Sequence, residues 1–154
     1  MKALQALLEK EKSGILAFIN TLREEQAALS QGDTAALEPL IATKSSLIEE
    51  LNQLEAERKA LAVGAAVSPD RIGMTRWLES QPQGKTLLPI WQDILQLASE
   101  ARQIHDLSGK LIAAQLSRTS EALNILTGHS NRAALYGSDG QAAGAKMPRI
   151  VDSA

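Results

Sequence analysis

The stretch that decides the fold is residues 2–31, which read KALQALLEKEKSGILAFINTLREEQAALSQ. Its apolar residues recur at alternating steps of three and four, the repeat of a helix that is buried along one side. Two carboxylates fall on the same stripe, which consists of Leu4, Leu8, Glu11, Ile15, Phe18, Leu22, Glu25 and Leu29. The following Gly32 is expected to end the helix, because glycine adopts the left-handed cap conformation at little steric cost.

A second helix with the same repeat is predicted to begin at Asp33, a residue type favoured as an N-cap. Its stripe also has two charged positions and consists of Leu37, Leu40, Lys44, Leu47, Leu51, Leu54, Arg58 and Leu61. Because only two or three residues join the two helices, we expect an antiparallel hairpin. Matching the helix ends places Glu25 beside Lys44 and Glu11 beside Arg58, so opposite charges would fix the register.

A short helix is predicted next. Residues 68–70, Ser-Pro-Asp, resemble a helix start with proline at the first helical position. The helix is expected to run to about residue 79 and to bury one apolar face, formed by Ile72, Trp77 and Leu78.

A long final helix is predicted from about residue 86 to about residue 128. Its first half is strongly apolar. In its second half, polar residues occupy positions beside the apolar stripe, namely His105, Ser108, Gln115 and Thr119. A helix of this length beside a shorter hairpin leaves part of its apolar stripe uncovered. Exposed stripes of this kind usually mark a binding surface, which we place at roughly residues 104–126.

The composition favours an all-α protein and argues against several functions. The chain has 154 residues with 44% hydrophobic but only 3% aromatic residues, no Cys and a net charge of −2. The lack of Cys excludes disulfides and Cys-based zinc sites, and the two histidines, His105 and His129, are too far apart for a local metal pair. The net charge is slightly negative, which argues against a basic surface for binding nucleic acid. No stretch approaches the ~20 consecutive apolar residues that a membrane-spanning helix needs. We expect no catalytic residues, no enzyme activity, no cofactor or metal, no nucleic-acid partner and no membrane insertion.

The composition changes near the C-terminus. Residues 130–154 are rich in Gly, Ala and Ser and contain a single aromatic residue, Tyr136. We therefore expect residues 1–129 to form one helical-bundle domain, an antiparallel long-helix hairpin with a short helix and a long C-terminal helix, followed by a flexible tail over residues 130–154.

The end of the chain carries a family resemblance. Asn124-Ile125-Leu126 is followed, after a few polar residues, by residues 135–140, which read Leu-Tyr-Gly-Ser-Asp-Gly. With the helix order above, this resembles the FlgN family of flagellar export chaperones, whose members end in an Asn- and Leu-rich helix and a Tyr-Gly-x-Asp-Gly-like element. The resemblance covers nearly the whole chain, but residues 141–154 match nothing diagnostic.

The resemblance implies a cytoplasmic chaperone of type III flagellar export. Its clients would be the hook-associated proteins FlgK and FlgL, kept from premature assembly, and it would dock on the cytosolic domain of the export-gate protein FlhA. The implied client-binding residues are Leu111, Ile112, Leu116, Leu123 and Leu126. The implied gate-docking residues are Tyr136, Gly137, Asp139 and Gly140.

One alternative stays open at the level of sequence. The long helix could pair with a copy of itself, which would make the protein a dimeric coiled-coil adaptor or a regulatory bundle without a chaperone role. Both interpretations need an exposed stripe, and they differ in whether a homodimer or a client covers it.

Overall fold

The computed structural model describes residues 1–127, which form four α-helices. In chain order these are α1 (Lys2–Gln31), α2 (Thr34–Gly64), α3 (Arg71–Ser80) and α4 (Gly84–Thr127). No strand occurs among these residues, so the all-α prediction is confirmed. The boundary expected between residues 129 and 130 lies outside the described residues.

A two-residue turn joins α1 to α2, as the sequence predicts. Gly32 has φ +68°, the left-handed conformation that closes α1, and its glycine avoids the strain that a Cβ would bring there. Asp33 caps α2, and its carboxylate accepts a hydrogen bond from the Ala36 N–H at 3.2 Å. The turn therefore reverses the chain within two residues and forces the hairpin.

The register of the hairpin is the predicted one. Lys44 Nζ lies 3.3 Å from both carboxylate oxygens of Glu25, and Arg58 Nε lies 2.9 Å and 3.2 Å from the two oxygens of Glu11. The two carboxylates in the apolar stripe of α1 therefore pair with the two cations in the apolar stripe of α2.

The Glu11–Arg58 pair lies at the centre of a cluster that joins all four helices. Both side chains are 1% exposed, and the Arg58 guanidinium stacks 4.8 Å from the centroid of the Trp91 ring of α4. Trp91 Nε1 donates a hydrogen bond to Thr75 Oγ1 of α3 at 3.1 Å. Burial raises the pKa of the Glu11 carboxyl, against the opposing effect of Arg58, and nearby Glu55 raises it further.

The remaining core lies around this cluster. Helix α1 packs against both α2 and α4, while α3 packs on α4. The largest fully buried apolar side chains come from all four helices and are Leu8, Ile15, Phe18, Leu22, Leu51, Met74, Leu78, Leu87, Trp91 and Ile94.

Three predicted details are wrong, all near the connection from α2 to α3. Leu61 is 39% exposed, and Ala62 is buried in its place, because a straight helix drifts from a strict seven-residue repeat. Ile72 is 64% exposed and Met74 is buried instead, because only α4 packs closely on α3. The N-cap of α3 is Asp70, so the preceding proline lies before the helix and not at its first position.

Helix α4 runs parallel to α1 and extends beyond it. Ion pairs join Lys12 to Asp93 at 2.8 Å and Arg23 to Glu100 at 2.6 Å. Residue numbers therefore increase in the same direction along α1 and α4. At 1.5 Å per residue, α1 continues ~12 Å past Arg23, whereas α4 continues ~40 Å past Glu100. The last part of α4, residues 111–127, is called the arm below.

We predict that Arg58→Met destabilises the protein by about 3–5 kcal/mol, because it leaves the Glu11 carboxylate buried without its partner. Urea unfolding followed by circular dichroism measures this change. The matched control is Arg23→Met in the exposed pair with Glu100, which should cost at most about 1 kcal/mol. Equal losses in the two variants would show that the buried pair has no special role.

Candidate functional site

The arm carries all five residues that the sequence predicts as client-binding. Ile112, Leu116 and Leu123 are half-buried and continue the buried stripe of α4 at steps of four and seven residues. Leu126, one turn after Leu123, is 82% exposed. Leu111 is half-buried but lies ~100° around the helix from Ile112. The structure thus gathers four of the five residues along one side of the arm and places Leu111 on the adjacent side.

Two apolar residues that the predicted site leaves out are also exposed on α4. Leu107 is 52% exposed and Ile125 is 84% exposed. They are 18 residues apart, which is five full turns, so they lie on the same side of α4 as Leu111. The sequence contains a signal for this second stripe, because Ile104, Leu111 and Ile125 fall in one seven-residue register.

A polar layer separates the apolar half of α4 from the arm. It consists of the Glu25–Lys44 ion pair of the hairpin and of His105 in α4, which lies close enough to sense both charges, and Ser108 lies about one turn further along α4. Glu25 and Ser108 are buried, and neither His105 Nδ1 nor Ser108 Oγ has a hydrogen-bond partner among the described residues.

The layer affects the protonation of its histidine. Burial lowers the pKa of His105, and the positive charge of Lys44 lowers it further. Asp106 and Glu25 act in the opposite direction with smaller effects. The folded protein therefore favours the neutral imidazole.

The predicted gate-docking residues, Tyr136, Gly137, Asp139 and Gly140, lie outside the described residues. Within residues 1–127, no three side chains of His, Asp or Glu are grouped closely enough to hold a metal ion. None of the four helices described is both long and apolar enough to cross a membrane.

The fold and the arm define an all-α, coiled-coil-like bundle in which one helix is much longer than the hairpin it packs on. The FlgN protein family model matches residues 1–144. The chain belongs to the FlgN family.

Individual relatives agree with this assignment. The flagella synthesis protein FlgN of Proteus mirabilis is 26% identical over 144 residues, which cover 92% of this chain and 91% of that protein. The flagella synthesis protein FlgN of Salmonella typhimurium is 26% identical over 126 residues, covering 82% and 79% of the two chains.

The fold also matches a solved structure. A crystal structure from Pseudomonas aeruginosa, described as that of a flagella synthesis protein FlgN, superposes with a TM-score of 0.68 at 22% identity. The match covers 72% of this chain and 87% of that one. At this identity the likeness supports the all-α fold alone, whereas the family model and the relatives identify a protein of flagellar synthesis.

We predict that His105 makes the protein less stable as the pH falls below about 6.5. Its pKa is lower in the folded than in the unfolded chain, so the unfolded chain binds more protons in that range and gains stability. Urea unfolding at about pH 7.5 and about pH 5.8 compares the wild type with His105→Gln, which cannot titrate. The wild type should lose more stability over this interval, and an equal loss would contradict the assignment.

Proposed function

We propose that the chain is a cytoplasmic chaperone of type III flagellar export. It binds the helical terminal segments of the hook-associated proteins FlgK and FlgL, prevents their premature assembly and delivers them to the export gate. Membership of the FlgN family supports a role in flagellar synthesis. The finer statement depends on the arm.

The observation that carries this proposal is the exposure of apolar side chains on the arm. An amphipathic client helix binds by placing its apolar face in a hydrophobic groove. The arm offers such a face, because it extends beyond α1 and its stripe of Ile112, Leu116 and Leu123 ends in a strongly exposed Leu126.

Client binding on the arm requires that several apolar residues act together. Ordering a disordered segment costs about 2–5 kcal/mol, which the contacts must offset. Each leucine that becomes fully buried contributes about 1.5–3 kcal/mol. Because most of the predicted residues are already half-buried in the free protein, each contributes less than this, and several of them together are needed.

For delivery, we propose that the C-terminal element docks on the cytosolic domain of FlhA. The family resemblance assigns this role to Tyr136, Gly137, Asp139 and Gly140. Client binding and gate docking would then use different parts of the chain, the arm and the tail.

The rival candidate is a coiled-coil adaptor whose arm forms a homodimer, and the second exposed stripe with Leu107 and Ile125 favours it. Light scattering after size-exclusion chromatography separates the two functions. A mixed complex with FlgK or FlgL supports the chaperone, whereas a tight homodimer that binds neither protein supports the adaptor.

We predict that Leu126→Ser weakens FlgK binding about tenfold or more, because a leucine that is exposed in the free protein loses the burial it gains with the client. Isothermal titration calorimetry measures the affinity. Since Leu126 is 82% exposed, the substitution should leave the stability of the free protein unchanged.

The matched control for this experiment is Ile72→Ser, which removes a similarly exposed aliphatic side chain from α3, far from the arm. It should bind FlgK as the wild type does. Equal weakening by both substitutions would mean that general surface hydrophobicity, and not the arm, determines the affinity.

We predict that Tyr136→Ala leaves FlgK affinity undiminished and weakens binding of the chaperone–client complex to the cytosolic domain of FlhA. The expected cause is the loss of the aromatic anchor of the gate-docking element. Pull-down of the complex on immobilised FlhA domain provides the measurement. Loss of FlgK binding in this variant would overturn the proposed division between arm and tail.

A further inference from the structure

A groove lies between residues 37–48 of α2 and residues 99–113 of α4 and is called the slot below. Within residues 1–127, α1 packs closely on both helices, whereas α2 and α4 make at most a weak contact with each other. The two are nevertheless neighbours, because the positive charge of Lys44 in α2 acts on His105 in α4. The slot therefore has α2 as one wall, α4 as the other and α1 behind it.

The helical repeat shows which residues of α2 face the slot. Around α1, Gly14 is on the side of α2 and Lys12 on the side of α4. Right-handed helices number clockwise when viewed from their N-terminus, so α4 lies clockwise from α2 across the buried stripe of α1. In the antiparallel α2, the side that turns away from α1 is then the one about 40–60° ahead of Lys44. Ile48 and Ile41 lie on this side and face the slot.

The slot is open and partly apolar. Ile41 is 56% exposed, whereas Ile48 packs against the core and is partly buried. On α4, Gly109 is 18 residues, or five full turns, after Trp91 and shares its side of the helix. A Cβ at Gly109 would meet no atom of the described residues within 4 Å. Ala113 follows one turn later and is exposed, so both walls leave room for another chain.

Helix α3 shows what kind of segment fits on this side of α4. Its Thr75 accepts a hydrogen bond from Trp91, and it begins at Arg71. At that end, Arg71 and Arg102 of α4 line a cavity of about 580 Å³. Residues 99–113 of α4 continue for ~21 Å from there. The slot is thus the position of a second helix, in line with α3.

The rims of the slot carry charges that a docked helix can complement. The rim on α2 is acidic, with Glu38 and Glu49 exposed on the outer side of Ile41. The opposite rim has an excess of positive charge and consists of Arg71, Arg102, Asp106 and Lys110. In paired helices, charges beside an apolar stripe determine which partner binds and in which orientation. The slot therefore favours an amphipathic helix with basic residues along one flank and acidic residues along the other.

We propose that an amphipathic helix of the client binds in the slot, in line with α3, with its basic flank on α2 and its acidic flank on α4. This inference rests on the proposed chaperone function and extends its site. Ile112 and Leu116 of the arm lie within about 60° of Gly109 around α4, so a client helix on the arm continues into the slot. Along residues 99–127 this path is ~42 Å, the length of about 28 helical residues.

Gly109→Leu tests the proposal by filling the slot. The variant should fold, because the added side chain enters open space and leucine is a better helix former than glycine. It should weaken FlgK binding about tenfold or more in calorimetry, because the leucine occupies the space of the client helix. Affinity equal to that of the wild type would overturn the proposal.

The matched control is Gly64→Leu at the last position of α2. A Cβ at Gly64 also meets no atom of the described residues within 4 Å, and α2 forms its wall of the slot at its other end. This variant should bind FlgK as the wild type does. A loss equal to that in Gly109→Leu would show that added apolar surface weakens binding, which would contradict the proposal.

A second variant keeps the test decisive if circular dichroism shows that Gly109→Leu does not fold. Ile41→Ser removes an exposed side chain from the other wall and should weaken FlgK binding about fivefold or more. Val63→Ser is its control, since Val63 is 63% exposed near the far end of the same helix. Equal FlgK affinity in these two variants would contradict the proposal.

Charge reversal tests the stated chemistry of the occupant. Changing both Glu38 and Glu49 to Lys should weaken FlgK binding about fivefold or more at low salt, and less at high salt. The control changes Glu50 and Glu57 to Lys, two carboxylates that are exposed on the other side of α2. Equal effects of the two double variants would overturn the assignment of the basic flank to α2.

The variants also separate this proposal from the proposed function. If the wild type does not bind FlgK, the chaperone function and the slot proposal fail together. If Leu126→Ser weakens binding and neither Gly109→Leu nor Ile41→Ser does, the client uses the arm alone, so the slot proposal fails and the chaperone function stands. A wild-type homodimer that Gly109→Leu dissociates would mean that a second copy fills the slot, which also contradicts the proposal.

Discussion

The buried ion pair between Glu11 and Arg58 is the constraint on which the rest of the structure depends. Such a pair contributes little net stability, because desolvation offsets most of the attraction, but leaving either charge unpaired in the core is costly. The second pair, Glu25 with Lys44, lies two heptads away along both helices. A slip of one heptad would break both pairs and leave Arg58 buried without a carboxylate. Only one alignment satisfies both pairs and the two-residue turn together.

The same alignment sets the positions of α3 and α4. Arg58 stacks on Trp91, and Trp91 donates its hydrogen bond to Thr75, so the short and long C-terminal helices are both held by the guanidinium that fixes the hairpin. Because Trp91 is buried near the start of α4, the surplus length of that helix falls at its other end. The arm is therefore a consequence of where the ion pair lies, combined with a 44-residue helix beside a 30-residue one.

The sequence predicted the helical hairpin and its register, because these depend on the spacing of apolar residues and on the short turn between the two helices. Both charge pairs followed from a three-four repeat and a short turn, with no knowledge of side-chain packing. It predicted burial of Trp77, which is only partly buried, and did not predict that Trp91 is the tryptophan at the centre of the core. Trp91 takes that position because it stacks on Arg58, a contact between distant helices that a local sequence pattern does not reveal.

The polar layer explains why α4 can serve both the bundle and the arm. Where His105 and Ser108 stand on the seam, two leucines would each add about 1.5–3 kcal/mol of burial and would extend the apolar core toward the arm. Polar residues beside the Glu25–Lys44 pair remove that gain, so the buried apolar cluster ends at this level, with Ala101 and the partly buried Ile104 as its last members. The apolar residues of the arm therefore lie outside the buried cluster that holds the four helices together.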